Sequence, residues 1–232
     1  MYKKKPLFIV FEGVEGCGKS FQSKKLYQKL KKNKIQTILT REPGGTKSAE
    51  LIRNLILKDY FKKTAKEKFD KYTDTLLYLA ARNEHVLNKI KPALKKKNVV
   101  ICDRFIDSTI AYQVIGKKVK YNFIKSIHNQ ILGNLKPDLT FVLKVSAKSS
   151  RKRLSKRKSK NRYDNFPQSF YKKAQTSFLK IAKNKKNYFV LDSSANNNLL
   201  EKKIFEITAK YLRYHESHWK FQSKKRFKIN WT

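Results

Sequence analysis

Residues 13–20, Gly13-Val14-Glu15-Gly16-Cys17-Gly18-Lys19-Ser20, match G-x-x-x-x-G-K-[ST] at every fixed position. The motif constrains fold and ligand together, because it works only as a turn between a buried strand and a helix. An apolar run at 7–11 supplies the strand, and Leu26 and Leu30 recur behind it at helical spacing. Glycines let the backbone wrap a polyphosphate while N–H groups at the helix start face its charge. In that cradle Lys19 reaches the β/γ-phosphates and the Ser20 hydroxyl binds Mg²⁺. All eight residues, Gly13 to Ser20, are candidate contacts to ATP phosphates.

The rest of the chain repeats the alternation. Strand-like runs stand at 7–11, 35–39, 99–102, 139–145 and 188–191, with amphipathic helical stretches at 49–58, 74–96, 121–132 and 201–214. Strands alternating with helices predict an α/β fold: five parallel strands in one sheet, covered by helices on both faces. Two segments break the pattern. One is a basic stretch at 149–162 with Arg151, Arg153, Arg157 and Arg162; the other is a tail carrying Trp219, Phe221, Phe227 and Trp231 among lysines. The organisation read from this is a domain over 1–214, with an insertion at about 149–164, and a basic aromatic tail at 215–232.

With 56 Lys+Arg against 17 Asp+Glu, the formal charge is +39. Such a balance suits nucleic acid or an anionic surface. The lysines are spread through nearly every segment rather than gathered, so nucleic-acid binding is not favoured. Anionic small substrates should still be drawn in, less so as salt rises. Two cysteines, Cys17 and Cys102, leave no disulfide framework and no Cys/His metal cluster, and buried inert thiols are the expectation. No run approaches the roughly 18 apolar residues of a membrane span, and no signal peptide is evident; a cytoplasmic protein is expected.

Three further motifs narrow the chemistry. Thr40-Arg41-Glu42-Pro43-Gly44-Gly45-Thr46 follows the second strand, where open α/β sheets bind ligands. Asp103-Arg104-Phe105-Ile106-Asp107-Ser108-Thr109, then Ala111-Tyr112-Gln113, follow the third. Asp103 stands where a P-loop enzyme needs an acid near Mg²⁺, so Ser20 and Asp103 are the candidate metal ligands; Arg104 is placed to clamp a phosphate. On a helix, Tyr78 and Arg82 are four apart and share a face. An aromatic face with a cation one turn away suits a base, although from these residues alone a core Tyr beside a surface Arg is the favoured reading.

Together the four motifs resemble the thymidylate kinases, from about Leu7 to Leu212. F-E-G-x-E-G-x-G-K, T-R-E-P-G-G-T, L-x-A-A-R, D-R-[FY]-x-D-S and A-Y-Q stand in order here. The resemblance implies a nucleoside-monophosphate kinase fold with a helical lid, transferring the γ-phosphoryl group of ATP to dTMP in dTTP biosynthesis, and a homodimer. It implies that Tyr78 stacks on thymine, that Arg82, Ser108, Thr109 and Gln113 line the base, and that Tyr112 crowds the sugar 2′ carbon. Glu15 would face the 3′-hydroxyl, and Arg53 and Arg104 the acceptor phosphate. The loop residues Arg41, Glu42 and Pro43 complete the implied dTMP site. Gly16 stands where some relatives carry a catalytic arginine, which resembles the bacterial arrangement and moves that role to the lid. The catalytic set is therefore Lys19, Arg104, Arg153, Arg157 and Arg162. Cys17, and Asn161-Arg162-Tyr163-Asp164 in place of Asp-Arg-x-Glu, depart from the family pattern.

Overall fold

The computed structural model describes residues 6–58, 68–156, 167–194 and 197–215, excepting the side chains of 197 and 213–215. Five strands, β1 (Leu7–Glu12), β2 (Thr37–Arg41), β3 (Val99–Asp103), β4 (Leu139–Lys144) and β5 (Tyr188–Asp192), form one sheet in the order β2-β3-β1-β4-β5. Every pairing is parallel, with Ile9 opposite both Ile101 and Leu139. β1 is central and buried at all six positions, as a strand covered on both faces must be. Leu7, Ile9 and Phe11 join one core with Leu26, Leu30, Phe141 and Phe178; Phe8 and Val10 join another with Val86, Ile90 and Phe105.

Helices α1 (Lys19–Lys32), α2 (Lys47–Leu57) and α3 (Lys71–His85) carry the first half of the chain. The single helix expected over 74–96 starts earlier, at an Asp70 cap whose carboxylate accepts from the Tyr72 N–H at 2.7 Å. It then widens into a π-helical stretch, Val86–Ile90, before α4 (Lys91–Lys95). Pro92 has no N–H to donate, and just before it the Lys91 N–H reaches Val86 O, five residues back.

The second strand departs from the expected 35–39. The Ile35 N–H closes the end of α1 on Leu30 O at 3.0 Å, with Lys34 at φ +58°, so Ile35 belongs to that turn. The strand instead runs on through Thr40 and Arg41, polar residues that pair opposite Cys102 and Asp103. Four more helices follow β3 and β4: α5 (Ile106–Thr109), α6 (Tyr121–Leu132), α7 (Ala147–Ser155) and α8 (Gln168–Ala182). α9 (Asn197–His215) comes after β5. Of the basic insertion, 149–156 lie within the described residues, as the rest of α7. Arg157, Arg162 and the tail from 216 lie outside them. Among the described residues no helix is long and apolar enough to cross a membrane.

Candidate active site

The loops at the carboxyl ends of β1, β2 and β3 surround a cleft of about 420 Å³, where open α/β sheets bind ligands. Its floor is the P-loop. Gly13 sits at φ +138°, and a Cβ there would lie 2.5 Å from Leu143 O and 2.9 Å from Cys17 Sγ. Glycine lets the loop turn this tightly against β4. Glu15, Gly16, Gly18, Lys19 and Ser20 line the cleft, whereas Gly13, Val14 and Cys17 form the buried back of the loop. Lys19 Nζ donates to Val14 O at 2.8 Å and lies 3.6 Å from Cys17 Sγ. Cys102 is also buried: burial, then the nearby carboxylates, push its thiol well above the ordinary range, and it donates to Arg104 O at 3.1 Å.

The Ser20 hydroxyl donates directly to Asp103 Oδ2. Asp103 Oδ1 is buried with no hydrogen-bond partner. A hydroxyl facing a carboxylate with a spare buried oxygen is an oxygen donor set suited to a hard cation.

Arg104 projects across the middle of the cleft. It adopts φ +73°, a left-handed conformation rare outside glycine, and is held by its N–H on Phe11 O at 2.9 Å. Its guanidinium donates to Gly13 O (2.9 Å), Ser108 Oγ (3.0 Å) and Glu15 Oε1 (2.7 Å). Glu15 Oε2 accepts from Tyr112 Oη at 2.6 Å. Burial alone would raise the Glu15 carboxyl, but Arg104 and then Lys19 outweigh it and hold the group below its usual range. Burial and the Glu15 charge push the Tyr112 phenol well up, so Tyr112 stays a donor. Tyr112 and Gln113 ride on a π-helical stretch, Ile110–Gly116, that continues α5; the wider turn sends Lys117 N–H back to Tyr112 O at 3.0 Å. The Gln113 Nε2 is buried and unpartnered.

The far end of the cleft is a locked charge network. Arg82 and Glu42 are each 3% exposed and 2.7 Å apart. All three Arg82 nitrogens are engaged: Nε and Nη2 on Glu42, Nη2 on Phe105 O, and Nη1 on Thr109 Oγ1 (2.8 Å) and His128 Nε2 (2.7 Å). Burial and then Arg82 drive the His128 imidazole down to about 3, so it accepts as a neutral ring. His85 contacts the other Glu42 oxygen at 3.1 Å and Thr40 Oγ1 at 2.6 Å. The Glu42 carboxyl, raised by burial, is brought below its usual range by Arg82 and then His85. Gly45 is required beside this histidine, since a Cβ there would lie 2.5 Å from His85 Nε2.

Around the rim, Arg53 donates to Pro43 O, and Arg41 meets Glu50 at 3.1 Å. Burial and then Arg41 lower the Arg53 guanidinium. Arg153 of α7 donates to Gly16 O at 3.2 Å and to Ser193 O, so it bridges the P-loop and the loop after β5. The structure thus brings Arg41, Glu42, Pro43, Arg53, Tyr78, Arg82, Asp103, Arg104, Ser108, Thr109, Tyr112, Gln113 and Arg153 to one cleft with the P-loop. Sequence reasoning missed Phe21, Leu57, Phe105 and Leu154 on its walls, and the supports Glu12, His85 and His128 behind them. Glu12 carried a signal, a charge closing an all-apolar strand. His85 lies one turn from Arg82 on α3; His128 gave no signal.

The thymidylate kinase family model matches residues 11–204. Thymidylate kinase of Afipia carboxidovorans is 41% identical over 203 residues, covering 86% of this chain and 87% of that one. That of Mycoplasma capricolum is 36% identical over 213 residues, 90% of this chain and 98% of the relative. The crystal structure of thymidylate kinase from Ehrlichia chaffeensis superposes with a TM-score of 0.68 at 31% identity, over 88% of this chain and 98% of that one. The P-loop and the Arg82–Glu42 network, lining one cleft with Arg104, thus lie within a sequence match that spans both, and the chain belongs to the thymidylate kinase family.

Proposed function

We propose that the protein catalyses ATP + dTMP → ADP + dTDP, assisted by Mg²⁺, as a step toward dTTP. The observation that carries this is the single cleft in which Lys19 and Ser20 stand at one end, Tyr78, Arg82 and Gln113 at the other, and Arg104 between them. Phosphoryl transfer asks little covalent help of a protein; two anionic nucleotides must be held in line while charge on the moving group is neutralised. Lys19 takes the β/γ-phosphates, exchanging a neutral carbonyl for a charged partner. Arg53 and Arg104 take the acceptor phosphate. Arg153, together with Arg157 and Arg162, supplies charge from the lid side. Ser20 and Asp103 would hold the cation, which when bound offsets charge on the β- and γ-phosphate oxygens.

At the acceptor end, Tyr78 offers a stacking face worth about 1–3 kcal/mol. Arg82 reads the thymine carbonyl by sharing an N–H already given to Thr109 or His128. Tyr112, pinned by Glu15, fills the space a 2′-hydroxyl needs. A missing methyl is worth only about 1–3 kcal/mol, so dUMP should be a weak substrate rather than an excluded one. A coupled assay with dTMP, dUMP, dCMP and dGMP tests the assignment; turnover of dCMP equal to that of dTMP sinks it.

We further propose a cytoplasmic homodimer. The packed pair α2 and α3, with the π-helical stretch after it, leaves Leu51, Leu55, Leu76 and Leu87 exposed, Leu51 at 71%. Exposed leucines on helices that pack side by side suit a self-complementary interface. Sedimentation of Leu51→Glu, expected to run as monomer where the native chain runs as dimer, is the check.

A further inference from the structure

Glu12 ends β1 as a fully buried carboxylate outside the cleft wall. Its Oε1 accepts from the backbone N–H of Phe105 (2.8 Å) and of Ser108 (3.3 Å), and its Oε2 from Ser108 Oγ (2.6 Å). Two roles follow from those contacts. Phe105 precedes α5 and has no side-chain cap of its own, so the orphan N–H groups of that first turn are capped from β1. The Ser108 hydroxyl donates its hydrogen bond to Glu12 Oε2, so its oxygen lone pairs are free to accept from Arg104 Nη1 at 3.0 Å. Arg104 in turn occupies a strained left-handed backbone position, which persists only where surroundings over-determine it. Those surroundings are Phe11 O, Cys102 Sγ, Glu15 and, through Ser108, Glu12.

We propose that Glu12 is a positioning residue for the acceptor phosphate. By holding Phe105 N–H and Ser108 on one side of Arg104, it sets where that guanidinium stands, while Glu15 holds it from the other side. The two acids of Phe11-Glu12-Gly13-Val14-Glu15 therefore divide the work: one fixes the loop that carries the arginine, the other its head group. The inference rests on the reading of Arg104 as an acceptor-phosphate ligand.

Glu12→Gln keeps size and shape but replaces one acceptor by a donor. In one amide orientation the new N–H faces the Phe105 N–H. In the other it faces a serine oxygen that already receives Arg104, and the serine proton loses its acceptor. Either way the loop must shift. The measurement is steady-state kinetics with dTMP and ATP varied separately, on protein whose thermal transition shows it folded. KM for dTMP should rise about tenfold, while KM for ATP stays within twofold; a merely structural defect would lower the active fraction and kcat without singling out dTMP. Combined with Arg104→Ala, Glu12→Gln should add little, because its effect runs through that arginine. Glu12→Asp keeps the charge but shortens the reach, should show the same selectivity at about threefold, and takes the place of Glu12→Gln if that variant does not fold. A dTMP KM within twofold of native in these variants, or equal rises in both KM values, overturns the inference. If Arg104→Ala itself leaves the dTMP KM unchanged, the reading of Arg104 fails first and the inference with it.

Discussion

The end of the cleft proposed for the base is closed by charges that hold one another, whereas the P-loop end is closed by cations resting on backbone carbonyls. Arg82 and Glu42 are dry, 2.7 Å apart, and braced by His85, His128 and Thr109. Lys19 and Arg153 instead donate to Val14, Gly16 and Ser193 carbonyl oxygens. A carbonyl is a neutral partner that a phosphate replaces with a stronger, charge-assisted bond. A carboxylate in a buried pair is not displaced so readily. On the proposed reading the base end is therefore built before its ligand arrives, and the donor end holds its charges in reserve. The same side-chain types are tied to one another in one place and rest on exchangeable neutral partners in the other.

The largest effect should come from breaking the buried pair. Glu42→Ala leaves Arg82 buried without its counter-ion, and removing one partner of such a pair costs about 3–5 kcal/mol. Urea denaturation at constant m-value should show that loss. A loss below about 1 kcal/mol would mean that the network is not what holds the base end. On the P-loop side, Lys19→Ala should lower kcat by roughly 10²–10³, the range for removing one preorganised donor to transition-state charge. Its unfolding free energy should fall by only about 1 kcal/mol, well short of the Glu42→Ala loss, since the main bond lost is one to a neutral carbonyl rather than to a counter-ion. If Lys19→Ala proved as destabilising as Glu42→Ala, the contrast between the two ends would be wrong.

That contrast also explains what the sequence made legible. The P-loop, the alternation of five strands with helices and the polar residues that reach into the cleft were readable because each is encoded locally, as a motif, an apolar run or a helical spacing; the apolar wall residues Phe21, Leu57, Phe105 and Leu154 were not. β2 slipped by two residues because its pairing with β3 carries Thr40 and Arg41 into the sheet, and hydrophobicity gives no hint of polar residues there. The π-helical stretches were invisible: one ends just before Pro92, and the other carries Tyr112, whose partner Glu15 lies 97 residues away. His128 lies 46 residues from Arg82 in the chain, so only the fold brings them together. Supports assembled from distant elements leave little trace in one sequence. Groups that meet ligand do leave one.

Acidity offers a third comparison, between Glu12 and Glu15. Arg104 and Lys19 hold Glu15 below its usual range. Its stabilising contribution is thus present above its unfolded value and lost as pH falls. Glu12 is pushed up to about 7 by burial and then by Asp107, against the opposing pull of Ser108 and Arg104. It takes up a proton on folding between the ordinary glutamate value of 4.5 and about 7, so its contribution is full below that window and is lost as pH rises through it. The unfolding free energy of the native chain minus that of Glu12→Gln should therefore fall by roughly 1–3 kcal/mol from pH 5 to pH 8. A difference that is flat, or that rises, removes the assignment of that titration to Glu12.

Salt gives the smallest effect and sharpens the first comparison. A net charge of +39 spread over the chain attracts any anion from a distance, and that attraction weakens as the screening length falls from about 10 Å at 0.1 M to about 3 Å at 1 M. Close contacts inside a dry pocket are screened much less. ATP carries more charge than dTMP and in the proposed reading docks on the Lys19 and Arg153 side, so most of its electrostatic attraction lies within reach of salt. Half of dTMP is a neutral base, which the same reading assigns to stacking and to a network whose charges already cancel. Raising KCl from about 50 to 200 mM should accordingly raise KM for ATP by roughly threefold and KM for dTMP by less than half that factor, in keeping with surface screening. Equal sensitivity of the two would place the acceptor phosphate, rather than the base, in command of dTMP binding. The preformed base end would then contribute discrimination between bases more than affinity.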